Sequence, residues 1–303
     1  MVTQGAFNLL FRPGLRADFL DSYEQHETEY TEFLKTGNID KPEIAASIIT
    51  GLSRMLEIDD GEAVTYEDPK LGPKVMAVDK EFALGFIITK KAVDDDQYGK
   101  ANQAAKWLAH AAQMTKEYRA AGVLDDAFTG TTYKGIDGLA LCHTTHTLLN
   151  SATTVANRPA SDIQLSVTGI TNLLDLAMLM KDENGDPVLM KPNKLIIGNN
   201  SGDLHRAMNI FGSDKEPYTA ENQDNAIKKR YQKMKIVVSH YKSSQKSYFM
   251  IDENYNDAWF LIRSALEFDD TYDFDTRAAK YMAAMRFLIW FVHWKGWLGC
   301  NPT

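Results

Sequence analysis

The sequence predicts an α+β body preceded by a thin, extended amino-terminal third. Three observations lead there. A run near residue 100 has the alanine-rich spacing of one long helix, mixed helix and strand patterns follow Gly135, and the ribbon-like stretch before Phe82 carries few large side chains. At 303 residues the chain has room for about two domains, or one large elaborated one.

Between Arg16 and Lys35, Phe19, Tyr23, Tyr30 and Phe33 recur at helical spacing, with Leu20, His26 and Leu34 alongside. One narrow apolar stripe cannot hold a helix folded by itself, so this helix must lie on something. Gly37, Asn38 and Pro42 end it. "GEAVTYEDPKLGPKVMAVDKEFALGFIITKK", from Gly61 to Lys91, places β-branched and apolar residues on both sides of a Pro- and Gly-rich turn and reads as a long two-stranded hairpin. An isolated hairpin is marginal in water. It needs outside support.

The next run predicts the longest helix, about 28 residues and on the order of 40 Å. Asp94 to Asp96 supply its N-terminal cap and charge, and Lys116 and Arg119 suit the negative end of its dipole. Ala101, Ala105, Leu108 and Ala112 form its packed stripe, with Tyr98 and Trp107 beside them. Further on, Leu165–Lys181 reads as a helix with Ile170, Leu173, Leu174 and Ala177 inward. "DENGDP" is a turn, "KLIIG" a buried strand, and "SGDLHRAMNIFG" a short helix capped by its serine. Strands are expected at Met234–His240, Ser247–Ile251 and Ala258–Ile262, while Tyr281–Gly299 suits either a helix or a two-sided buried strand.

Bulk properties exclude several function classes. The formal net charge of −8 repels phosphate, so a dedicated nucleic-acid binder is not expected. Cys142 and Cys300 alone build no disulfide framework and fit a reducing compartment. The amino terminus lacks the pattern of a secretory signal. The most apolar run, Phe287 to Trp294, is far short of the roughly 20 residues that span a bilayer.

Four segments invite a chemical reading. Cys142-His143-x-x-His146 offers at most three zinc ligands, whereas structural zinc takes four, and His205, His240 and His293 stand apart from it. A polar loop with packed histidines is the better reading. Asp182, Asn184 and Asp186 resemble the start of a calcium loop, but Pro187 stands where glycine is required and Asn193 where the bidentate glutamate belongs. Asp269, Asp270, Asp273 and Asp275 read as solvated turn carboxylates. Lys228, Lys229, Arg230, Lys233 and Lys235 surround Tyr231 and read as a solvated loop or a patch facing an acidic neighbour. No P-loop, nucleophile elbow or dinucleotide fingerprint is present.

The order of segments carries a resemblance that no single one does. "EFALGFIITKKAVDDDQYG", the alanine-rich helix, "GIDGLALCHTTHT" and "VANRPA" come first. "GDPVLMKPNKLIIGNNSGDLHRAMNIF", "AWFLI", "DFDTRAAKYMAAMRF" and "WKGWLG" follow in turn. This succession resembles the major capsid proteins of tailed bacteriophages, nearest the Mu-like major head subunits of the Hong Kong 97 capsid fold. The family pattern Gly-x-x-Leu-Phe-x-x-x-His is met by Gly138, Leu141 and His146, with Cys142 replacing phenylalanine. The closing Asp-Trp-Arg-Gly is met in part by His293 to Gly296.

The resemblance implies an anatomy. Residues 1–50 would be an amino-terminal arm, 51–93 an extended hairpin loop, 94–137 the spine helix and peripheral domain, 138–264 mainly an axial domain, and 265–303 a return to the peripheral domain. The last implication makes Tyr281–Gly299 a strand. It also implies hexamers and pentamers of the chain itself, enclosing DNA without sequence-specific binding. Portal, scaffold, maturation protease and decoration proteins would be partners. The place of action would be the virion capsid, assembled in the host cytoplasm, with no membrane partner. No catalytic, cofactor-binding or metal-ligating residue is assigned. Lys70 and Lys74 sit in the hairpin where some shells crosslink, without an assignable partner. A metal-dependent hydrolase using Cys142, His143 and His146, and a nanocompartment shell, are the competing classes. On either shell reading, arm and hairpin lack the intrachain burial that ordering them requires, and would be laid over neighbouring copies.

Overall fold

The computed structural model of the chain describes residues 15–61, 63–89, 91–92, 100–219, 223–273 and 275–302. In chain order the strands are β1 (Lys35–Asn38), β2 (Glu43–Ile49), β3 (Leu71–Val78), β4 (Lys80–Thr89), β5 (His146–Thr147), β6 (Thr154–Val155), β7 (Lys194–Gly198), β8 (Lys235–Ser239), β9 (Tyr248–Ile251), β10 (Ala258–Asp273), β11 (Ala278–Phe291) and β12 (Trp297–Cys300). The helices are α1 (residues 15–24), α2 (Lys100–Asp126), α3 (Val167–Met178), α4 (Ser201–Gly212) and α5 (Ala226–Arg230).

Two four-stranded sheets organise the chain. The first runs β1-β10-β11-β4, and the second β12-β9-β7-β8. In the first, β10 and β11 form a long antiparallel ladder from Ala258↔Phe291 to Asp273↔Ala278, and β4 lies antiparallel on the free edge of β11. One face takes α2: Ala105, Leu108 and Ala109 meet Tyr281 and Ala283. The alanines allow close approach of helix and sheet. The segment Tyr281–Gly299 is strand, as the resemblance implied, and it is divided between two sheets: β11 belongs to the first and β12 pairs with β9 in the second.

Locally patterned elements stand where the sequence placed them. In α3, Ile170, Leu173, Leu174 and Ala177 are buried, and Ser166 caps the helix by accepting from Gly169 N. β7 is buried along its length after Lys194. Gly185, at φ 91°, supplies the left-handed residue that the "DENGDP" turn needs. The cap of α4 is Asn200, not Ser201, because it is the Asn200 side chain that accepts from Gly202 N. β10 extends eleven residues beyond the expected end at Ile262, reaching Asp273.

Several expectations for the amino-terminal half are corrected. The helix predicted to Lys35 stops at residue 24. The chain then turns, because Glu117 of α2 accepts from Glu29 N at 2.9 Å and Tyr30 N at 3.2 Å, and a short 3-10 turn follows at Tyr30–Glu32. One stripe in sequence thus serves two cores. Leu15 and Phe19 join α2 and the first sheet, whereas Tyr30, Phe33 and Leu34 enter the main core. The arm from Leu15 to Asn38 is therefore not short of intrachain burial, and residues 1–14 lie outside the described residues. Phe19 is fully buried, and residues 35–38 pair in parallel with β10.

The hairpin is also built differently. Its arms are β2 and β3, paired from Glu43↔Val78 to Ile49↔Leu71, so residues 63–66 are not a strand and "EDPKLGP" is not its turn. Residues 50–70 form the tip, and β4 is claimed by β11. The root rests on the back of the first sheet, where Ile44, Ala46, Val75 and Ala77 pack on Leu261, Leu288 and Trp290. In α2, Lys116 and Arg119 do not serve the helix terminus, because the helix runs past them to Asp126. Lys116 is instead buried against the Tyr23 hydroxyl. Trp107, expected beside the packed stripe, is exposed. The cap at Asp94 to Asp96, Tyr98 and the side chain of Ala101 fall outside the described residues.

Phe19→Ala should cost about 3 kcal/mol of α1 docking. Hydrogen exchange is expected to show amides 15–24 losing protection while β10 and β11 keep theirs.

Candidate functional site

The Cys142–His146 segment is a packed loop between α2 and β5. Cys142 N donates to Ala127 O at 2.7 Å, and a Cβ on Gly299 would stand 2.6 Å from the Cys142 sulfur, so glycine there lets β12 close over the thiol. Burial pushes the thiols of Cys142 and Cys300 up, which disfavours the thiolate a metal needs. His146 is fully buried and stacks on Trp294 with ring centroids 4.0 Å apart. Its Nδ1 lies 2.5 Å from Asp137 Oδ2 and its Nε2 3.1 Å from Asn157 Oδ1. Both ring nitrogens are engaged by side-chain oxygens, and neither is turned to a metal. His143 Nδ1 accepts from Thr145 N. The three residues do not converge on one point, and among the described residues no group of three His, Cys, Asp or Glu side chains does so.

Asn157 is the residue that the motif reading missed. It donates to Leu141 O at 2.7 Å and Trp297 O at 3.0 Å and accepts from His143 N at 2.8 Å. One amide ties the loop to β12, 140 residues away in sequence. No spacing rule reveals such a partner.

The calcium-like turn also has a structural task. Asp182 Oδ1 accepts from Asn184 N and Asp186 N, which uses it inside the turn. Behind it, Glu183 accepts from His293 Nε2 at 2.7 Å, Lys295 Nζ at 2.8 Å and Leu149 N at 2.9 Å. Burial opposes ionisation of Glu183, but these donors outweigh it and hold the carboxyl at about 2. His293 is therefore not alone, and neither is His240, whose Nδ1 lies 2.5 Å from Glu29 Oε1. The outer side of the turn holds the hairpin tip. Asn184 Nδ2 donates to Gly51 O and Leu52 O, Arg54 pairs with Asp186 at 2.9 Å, and Lys70 Nζ donates to Asn150 Oδ1 at 2.6 Å.

The two charged runs are structured within the chain. Asp269 and Asp270 lie in β10 opposite Met282 and Tyr281, which corrects the reading of the whole run as a turn. Only Asp273 and Asp275 stand at the bend, where Asp273 accepts from Asp275 N and Lys280 Nζ. In the basic run, residues 226–230 are α5 rather than loop. Lys228 pairs with Asp214 at 2.6 Å, Lys229 with Asp224 at 2.7 Å and Lys235 with Glu32 at 2.6 Å. The acidic neighbours are this chain's own. Such surface pairs add little stability, but they cancel much of the field that phosphate would need.

What remains unsatisfied is surface, not chemistry. In the tip, Leu52 is 64%, Leu56 70%, Tyr66 91% and Met55 101% exposed. Contiguous large apolar side chains on a surface mark an interaction site. A two-stranded ribbon that buries only its root and presents an apolar tip is a device for reaching another body.

Two four-stranded sheets, a long helix on one of them and a projecting ribbon make up the subunit. Comparison with known proteins identifies the class. The family model described as phage capsid protein matches residues 73–298. The chain belongs to that family and is a structural capsid protein of a phage head. No curated protein matches the sequence.

Solved structures share the fold at low identity. The capsid of the cyanophage P-SCSP1u is similar at a TM-score of 0.59 and 12% identity, covering 91% of this chain and 88% of that one. The procapsid of bacteriophage JBD30 is similar at 0.56 and 11%, covering 100% of this chain and 77% of that one. A virus-like particle from Pyrococcus furiosus is similar at 0.55 and 10%, covering 95% and 98%. The Hong Kong 97-like α+β fold that the segment order implied is the fold observed.

Two substitutions test the polar ties. Asn157→Ala leaves several buried groups without partners and should cost about 2–4 kcal/mol in urea unfolding. Glu183 is held at about 2 when folded against an ordinary 4.5, so its contribution is complete above pH 4.5 and is lost as pH falls towards 2. The stability advantage of the wild type over Glu183→Gln, on the order of 3 kcal/mol at neutral pH, should shrink across that window.

Proposed function

We propose that many copies of this chain close into an icosahedral shell around the double-stranded DNA of a tailed phage, without catalysis. The observation that carries the reading is the ribbon, whose root is packed and whose apolar tip is exposed on the single chain. Each copy would lay its tip on a neighbour, and the same head-to-tail contact repeated around a rotation axis closes rings. Hexamers and pentamers are such rings. The acidic balance, −8 overall, supports a container whose wall does not hold its contents by charge.

In this reading residues 94–137 and 265–303 are the peripheral domain, built on α2 and most of the first sheet, although β12 joins the second sheet, and residues 138–264 are mainly the axial domain. Residues 51–93 hold the extended loop, with its first arm drawn from 43–49. The virion is the place of action, after assembly in the host cytoplasm. Portal, scaffold, a maturation protease and decoration proteins are the partners that the family's anatomy implies. The likeness to the Pyrococcus particle supports a non-viral container as a second reading, and the match to the phage capsid family favours the first.

Electron microscopy of the overproduced chain tests the reading. Closed, uniform shells are expected, and a chain that stays monomeric under all assembly conditions would overturn it. Replacing residues 52–68 by a short Gly-Ser turn should abolish shells while leaving subunit stability within about 1 kcal/mol, since the loop buries little and closure entropy changes slowly with length. Empty shells should bind DNA weakly. Tight, salt-sensitive binding would contradict the inert wall.

A further inference from the structure

A groove of about 390 Å³ lies at the root of the ribbon, where β3, β4, Arg119 of α2, the 132–134 loop and β11 meet. Its walls are apolar, with Met76, Tyr133 and Trp290 among them, and its cations are Lys80, Arg119 and Lys134. Arg119 stacks over Phe82, its guanidinium carbon 5.2 Å from the ring centroid. None of the three cations has a carboxylate partner among the described residues. Trp290 is only 6% exposed, and its indole N–H finds no acceptor there. A buried donor without an acceptor is costly. The groove therefore offers positive charge and apolar wall together, over a buried indole donor that has no acceptor of its own.

The ribbon tip is the chemical complement. Residues 51–70 contain six acids (Glu57, Asp59, Asp60, Glu62, Glu67 and Asp68) against two bases. Both bases are already engaged, Arg54 with Asp186 and Lys70 with Asn150. The exposed Leu52, Met55 and Leu56 match the apolar wall.

The tip cannot reach the groove of its own chain. The same ribbon's root, Val75 to Val78, lines that groove, the rest of β3 carries the chain roughly 13 Å further from it, and Asn184 and Asp186 hold the tip at the far end. We propose that the groove bounded by Lys80, Arg119, Lys134 and Trp290 receives the acidic tip, residues 52–68, of a second copy. This rests on the shell reading and names the contact on which it depends. The attraction of opposite charge guides the tip in, and like charge disfavours a misplaced neighbour.

The test is zero-length carbodiimide coupling of assembled shells, mixed from light and 15N-labelled subunits and mapped by mass spectrometry. Isotopically mixed links from Lys80 or Lys134 to Glu57, Asp60, Glu67 or Asp68 are expected. If tip carboxylates couple to other lysines of a neighbour while Lys80 and Lys134 stay unlinked, the proposal is wrong and the shell reading stands. If the unaltered chain forms no shells, the shell reading itself fails, and the proposal with it.

Charge exchange gives a second measure. Arg119→Glu with Lys134→Glu should lower shell yield about tenfold or more, and adding Glu57→Lys with Asp60→Lys should restore most of it. Loss without restoration, in subunits that melt like the wild type, would overturn the proposal. The coupling map of unaltered shells decides the matter if the variants do not fold.

Discussion

Everything in this chain is hung on β11. It is paired on both edges, by β10 from Ala258↔Phe291 onward and by β4 from Phe287↔Lys80 to Ala278↔Thr89. One face of the sheet receives both α2 and α1, with Phe19 packed on Phe268 of β10. The other receives the ribbon root. A strand held on four sides carries a continuous apolar pattern, and Phe287 to Phe291 is buried throughout. That density left its state ambiguous between helix and strand when read locally. Its neighbours resolve the ambiguity, because only an extended chain satisfies backbone groups on two edges at once.

Polar side chains then fix how the outlying pieces sit on this frame. Glu117 takes the two amides where the amino-terminal segment turns, Asn157 joins the Cys142 loop to β12, and Glu183 gathers the ends of three segments. Each is buried and each is surrounded by partners, which is how a low-dielectric interior tolerates polarity. The Cys-His-x-x-His segment belongs to this architecture of ties. Its ring nitrogens and thiol are spent on packing and hydrogen bonds, and the capsid family to which the chain belongs gives that use a purpose. Against this interior the ribbon tip stands out, with several apolar side chains close together in sequence set out in water where a second body can cover them.

Pattern and contact divide the chain in a consistent way. Elements that satisfy themselves locally were legible: α3 from its inward stripe, the "DENGDP" segment as a turn, β7 from a short apolar run. Elements whose form is decided by a distant partner were not. Nothing within residues 16–35 announces that Glu117 interrupts the helix, since the competing acceptor is 87 residues away from Tyr30. The hairpin was placed around the strongest local turn signal, yet Glu43 pairs with Val78 because β11 removes β4 from the contest. His293 and His240 looked solitary because their carboxylates lie elsewhere in the sequence.

By itself the sequence determined the α+β class, the long alanine helix, the exposed character of the ribbon and, through the order of its segments, the capsid family. Periodicity and succession are written along the chain, and those properties need nothing more. Which strands pair, where the arm bends, that the arm is buried on its own chain and that three cations and an indole N–H share a groove were decided only by tertiary structure. Pairing and burial depend on which distant groups reach a site first and satisfy it best, and no window of neighbouring residues contains that competition.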